Sequence, residues 1–164
     1  GSGSVDLVML NFALLSWGGG SGDLNFYNTL VGNRLYIKVS SGSIMGRDIR
    51  ANVSKLEVQS GDLEAYIDCK DLDLSISSGW MLLHNETAPE KLRAVVRSGD
   101  CTVAIPENDG FSLDYRVSSG DFENEFGTGS DWGHGSGNTS YGNQSAGRNY
   151  QIDVSSGFLK LAKR

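Results

Sequence analysis

Apolar and polar residues alternate along this chain in short runs, and each run ends at a Ser-Gly pair. Leu72, Leu74 and Ile76 precede Ser78-Gly79, and Leu92, Ala94 and Val96 precede Ser98-Gly99. A period of two marks a strand with one buried face. A second run follows the pair, as in Asp62-Leu63-Glu64-Ala65-Tyr66-Ile67. The pattern predicts strand, corner and strand, repeated down the chain.

The pairs place glycines at Gly22, Gly42, Gly61, Gly79, Gly99, Gly120 and Gly157, with spacings of 20, 19, 18, 20, 21 and 37 residues. Self-similarity near twenty residues is the signature of a stacked repeat, and the last spacing is close to two periods. Two places after the glycines stand Leu24, Ile44, Leu63, Met81, Cys101, Phe122 and Leu159, all apolar. Three places before them stand Gly19, Val39, Val58, Ile76, Val96, Val117 and Val154. An odd step of five separates these two inward positions and would flip the facing of a flat strand. The Ser-Gly pair must therefore re-aim the chain, at corners whose backbone angles suit glycine. The expected fold is all-β, a single-stranded β-solenoid (β-helix or β-roll) of about seven coils with a period of about 19–20 residues. Coils stack at about 4.8 Å, so Leu24, Ile44, Leu63, Met81, Cys101 and Phe122 should form one interior column.

A single domain is expected over residues 1–164. Gly1-Ser2-Gly3-Ser4 reads as a leftover linker, residues 5–17 as an N-terminal coil and cap, and residues 127–149 as a Gly-rich excursion off the period. The excursion is either a long loop or a distorted coil. It carries Asp131, Trp132, His134 and Tyr141 between glycines. Flat rings with a polar handle suit sugars or protein partners, so these four residues form the candidate binding surface, against the plainer reading of a surface loop.

Composition narrows the function. The 22 Gly and 2 Pro fit many tight turns in an ordered fold rather than a flexible linker. A net charge of −6 speaks against nucleic acid, which needs a basic face. The most apolar stretch, Val5 to Trp17, is broken by Asp6, Asn11 and Ser16, so no transmembrane segment is expected. Cys69 and Cys101 make neither a CxxC pair nor a disulfide framework and read as small buried residues, bridged only if the fold joins them.

Candidate chemistry is sparse. Asp23, Asp62, Asp100 and Asp121 follow the corner glycine, and local turn chemistry explains them better than a calcium ladder, because Ser43, Trp80 and Phe158 interrupt the row. Asp62, Glu64, Asp68, Asp71 and Asp73 supply carboxylates, but on an outer face these read as solvating charges rather than an acid pair. His84 and His134 have no nucleophile pattern near them, and Gly18 to Gly22 lacks the Lys-Ser of a phosphate loop. No catalytic, cofactor-binding or metal residue is assigned, and no cofactor is expected.

The strings KLEVQSGDLEAYI, DLDLSISSG, FSLDYRVSSGDFENEF and YQIDVSSGFLKL resemble a bacterial adhesin-type β-solenoid domain family of unknown function in cell-envelope proteins. The resemblance runs from about Trp17 to Leu161, with departures at Gly19, Trp80 and Phe158. It implies an extracytoplasmic place: cell surface, periplasm or envelope. It implies no established activity, and the expected function is a non-enzymatic scaffold or binding module, with a glycan or an envelope protein as partner. The open solenoid ends expose strand edges suited to self-association. Two alternatives stand beside it: a carbohydrate-active β-helix enzyme, and the ectodomain of an envelope-stress signalling protein.

Overall fold

The computed structural model describes residues 3–4, 10–17, 23–27, 31–127 and 135–164. Among them, strands form one 14-stranded sheet, and the fold is all-β and solenoid-like. The strands are β1 Gly3–Ser4, β2 Leu10–Trp17, β3 Asp23–Tyr27, β4 Val31–Val39, β5 Ser43–Val58, β6 Asp62–Ile76 and β7 Trp80–Asn85. They continue as β8 Lys91–Val96, β9 Asp100–Ile105, β10 Gly110–Val117, β11 Asp121–Asn124, β12 Gly135–Gly142, β13 Asn149–Val154 and β14 Phe158–Lys163. Of the expected N-terminal coil, Leu10–Trp17 is a strand paired with β4, and residues 5–9 lie outside the described residues.

Each Ser-Gly corner separates two parallel ladders. The strands before the corner stack as β2, β4, the second half of β5, the second half of β6, β8, β13 and β10. The strands after it stack as β1, β3, the first half of β5, the first half of β6, β7, β9, β14 and β11. The inward positions read from the sequence are the core: Val39, Val58, Ile76, Val96, Val154 and Val117 are buried in one row, and Ile44, Leu63, Met81, Cys101, Leu159 and Phe122 in another. Ser54 takes an interior place between Leu35 and Leu72 and is fully buried.

The units do not stack in chain order. The last unit, β13 and β14, lies between the β8/β9 unit and the β10/β11 unit. Leu159 is the register partner of Cys101, and Phe122 comes after Leu159. This corrects the expectation that Phe122 sits next to Cys101. The cause is in the excursion. Gly135–Gly142 runs antiparallel along the outer edge of β10, with Tyr141 opposite Phe111 and Gly137 opposite Tyr115. The chain covers that edge, turns through the 3-10 segment Gln144–Ala146, and returns on the inner side of β10.

The corner glycines stack directly: Gly42, Gly61, Gly79, Gly99, Gly157 and Gly120, in that spatial order. A Cβ on Gly79 would lie 1.9 Å from the Gly61 oxygen, and one on Gly99 would lie 2.1 Å from the Gly79 oxygen. Gly42 has φ +83, but φ is not positive at Gly61, Gly79, Gly99, Gly120 or Gly157. The expectation of special backbone angles is corrected at those five: glycine is required there because the next coil passes too close for any side chain. Gly22 lies outside the described residues.

Candidate functional site

The corner N–H groups bond from coil to coil. Asp62 N–H donates to the Gly42 carbonyl at 3.0 Å, Trp80 N–H to Gly61 at 3.1 Å, and Asp100 N–H to Gly79 at 3.0 Å. The backbone ladder therefore satisfies the corners, and the aspartates there stay exposed at the surface. This replaces the turn-chemistry reading of Asp62, Asp100 and Asp121.

The residue after each corner points outward, since burial alternates from exposed to buried in β6, β7, β9 and β11. Parallel register aligns these residues as Asp23, Ser43, Asp62, Trp80, Asp100, Phe158 and Asp121. Ser43 donates its hydroxyl to Asp23. From Asp62 onward, carboxylates and aromatic rings alternate. Trp80 is the exposed large apolar side chain among the described residues, at 38 %. Phe158 is half-buried. In the next outward row Leu82 flanks Trp80, and Lys160 pairs with Glu123 and Glu125 at 3.1 and 2.6 Å.

A third outward row stacks His84 on Tyr66, with ring centroids 4.6 Å apart, and Arg47 lies 5.1 Å over Tyr66. Burial and the nearby Arg164 charge hold the His84 pKa below its ordinary value. Asp48, Arg50, Tyr66, Asp68 and Glu86 line a shallow depression of about 350 Å3 beside it. Asp48 has φ +55 there, at the irregularity where β5 turns its second corner. Asp68 is occupied by the Thr87 hydroxyl at 2.8 Å.

The other carboxylates named from the sequence do not converge. Asp62, Glu64 and Asp68 lie along the first half of β6, while Asp71 and Asp73 lie on its second half, in the other ladder. Lys91 pairs with Asp71 at 3.7 Å and Arg93 with Asp73 at 3.4 Å. No group of three or more His, Cys, Asp or Glu able to hold a metal occurs among the described residues. No helix among them is long and apolar enough to cross a membrane. Cys69 and Cys101 are both free and buried. Burial pushes the Cys101 thiol up to about 12 and raises that of Cys69, so neither is a ready thiolate.

Of the four candidate binding residues, Asp131, Trp132 and His134 lie outside the described residues. Tyr141 sits in β12 and packs on the core. Its ring lies 5.1 Å from Phe126 and 5.5 Å from Phe111, and its hydroxyl donates to Glu107 at 3.1 Å. Lys163 lies over both Tyr141 and Phe126 at 5.6 Å and pairs with Glu107 at 2.7 Å. Tyr141 thus fastens the edge-covering strand to the end of the stack.

Two features escaped the sequence reading. Trp80 and Phe158 registered only as departures from Asp, although their exposure on a row of acids sets them apart. Asn85 carries no motif that sets it apart in the sequence. It is buried, and its amide accepts the Cys69 N–H at 2.9 Å and donates to the Cys69 carbonyl at 2.8 Å and the Thr87 carbonyl at 2.7 Å. Its side chain thereby takes the place of a strand where β7 stops.

No curated protein and no solved structure matches this chain. Residues 1–162 match the family described as Toastrack DUF4097. The paired ladders and the extent of that match lead to one assignment: the chain belongs to the Toastrack DUF4097 family, whose domain is of unknown function.

Proposed function

We propose that the chain is a non-enzymatic scaffold and binding module, built of about seven coils, that works outside the cytoplasm at the cell surface, in the periplasm or on the envelope. One observation carries this reading. Outward side chains stand in straight rows on a hydrogen-bonded ladder, while the carboxylates are spread over two ladders and several are already paired. Such a surface presents a fixed, repeating pattern to an extended partner at little ordering cost. The Ser-Gly-Asp strings and their resemblance to envelope proteins favour a glycan or an envelope protein as that partner.

The test is retention of envelope polysaccharides and envelope protein extracts by the immobilised chain, with product release followed in the same samples. Retention without newly formed reducing ends supports the module. Release of reducing ends would replace it with a carbohydrate-active enzyme, and failure to retain any fraction would remove the binding role.

A further inference from the structure

We propose that the outward row Asp62, Trp80, Asp100, Phe158 and Asp121 is a binding track for an extended β-1,4-linked polysaccharide carrying free amino groups, such as a glucosamine polymer. The proposal rests on the binding-module reading and names its ligand.

The row exists only because the last unit is inserted. In chain order the positions after the corner read Asp62, Trp80, Asp100, Asp121 and then Phe158. In space Phe158 pairs with Asp100 on one side and Asp121 on the other, so rings and carboxylates alternate. Two coils separate Trp80 from Phe158, a distance of about 10 Å at the usual strand spacing. That is close to one disaccharide of an extended β-1,4-linked chain, in which every second sugar has the same orientation. Both rings therefore meet equivalent sugar faces, and stacking of C–H faces on aromatic rings is the usual way a flat protein surface holds a pyranose.

The carboxylates follow the same repeat. Asp62 and Asp100 are two coils apart, as are Asp100 and Asp121. Amino groups along one edge of the polysaccharide recur once per disaccharide, so each meets a carboxylate while the intervening rings hold the sugars. All three aspartates are exposed, and among the described residues none is held in an ion pair. Nearby, Lys160 is already neutralised by Glu123 and Glu125. The track is therefore complementary to a cationic chain and repels one built of uronic acids. The strands of Asp62, Trp80, Asp100 and Phe158 are paired on both sides and that of Asp121 on one, so the spacing is fixed before the ligand arrives.

The experiment compares a fluorescent glucosamine hexamer, its N-acetylated counterpart and cellohexaose on the intact chain by polarisation, at low and raised salt. The amino oligomer is expected to bind at least about tenfold more tightly than the other two and to weaken with salt. Trp80→Ala, Phe158→Ala and Asp100→Asn should each lose about tenfold, and Trp80→Tyr should retain most of the binding. Gln151→Ala, on the other ladder, should match the parent, and urea midpoints check that each variant is folded. Equal binding of the three oligomers, no binding of the glucosamine hexamer, or unchanged binding in Trp80→Ala would overturn the track. If the parent and the row variants retain envelope material equally, the track falls and the module stands. If the parent retains nothing, both fall.

Discussion

The amide of Phe158 donates to the carbonyl oxygen of Gly99 at 3.0 Å, and on the other side of the same coil the Asp121 amide donates to Gly157 at 2.9 Å. The last unit is thus a spacer between two others. Ile152, Val154, Leu159 and Leu161 bury their side chains in it. Four such side chains contribute roughly 6 kcal/mol or more, a large part of a typical domain stability. A chain ending at Arg148 is expected to lose hydrogen-exchange protection across residues 110–127 while residues 43–85 keep theirs. Full protection over 110–127 in that truncation would contradict the insertion.

The corner glycines and the loop glycines should respond to alanine differently. At Gly99 a Cβ would meet the Gly79 oxygen at 2.1 Å and Ile76 Cγ2 at 2.6 Å. The oxygen is held by the Asp100 amide, so it cannot retreat without losing a ladder bond. Gly99→Ala is expected to cost more than about 3 kcal/mol in urea melts. Gly147 has φ +74 and open space around it, so Gly147→Ala should cost only about 1 kcal/mol. The reverse ranking would show that close stacking is not what the corners demand.

Leu63 and Glu57 test the facing of the strands. Leu63 is fully buried, so Leu63→Asp leaves a charge without a partner in the core and should cost several kcal/mol or unfold the chain. Glu57 faces outward, paired with Lys55 at 2.7 Å and accepting the Tyr36 hydroxyl at 2.6 Å. Lys55 first, and then Tyr36, hold its carboxyl below the ordinary value of 4.5. A depressed pKa contributes stability above the unfolded value, and that stability is lost as pH falls through the folded value. The small advantage of the parent over Glu57→Gln, under about 1 kcal/mol, should be present at neutral pH and vanish in acid. An advantage that grows in acid would refute the pairing.

Asn85→Ala removes an amide that serves both backbone groups of Cys69. Leaving them buried and unpaired should cost about 2–4 kcal/mol. The Cys69 thiol should then be alkylated faster under native conditions, because the cover at that corner loosens. An unchanged melt and an unchanged alkylation rate would mean that water replaces the amide at no cost.

Much of this fold was legible because strand facing is local. Leu56, Val58 and Leu63 could be placed inside from their spacing to Gly61 alone, and all three are buried there. Stacking order was not legible, for a physical reason. Val96, Val117 and Val154 occupy the same inward position with the same shape, so nothing local says which two adjoin. The deciding contacts lie elsewhere, in the cover that β12 gives to β10 and in Tyr115 lying against Gly137, where a Cβ would come within 2.6 Å of its hydroxyl oxygen. The alternating row was hidden with the order, since Phe158 enters it only through the insertion. The glycine requirement was found at the right residues for a different cause, because a close approach leaves the same mark on a sequence as a positive φ.

The displaced unit also sets a timetable for synthesis. Residues 110–127 leave the ribosome before the strands that seat them against the rest of the sheet. During that interval β8 and β9 present a bare edge, and β10 and β11 have no inner neighbour until β13 and β14 arrive. Every earlier unit docks on a finished surface as it emerges, whereas this one must wait with its gap held open. A nascent chain paused after β11 is the form most exposed to pairing with a strand from another molecule.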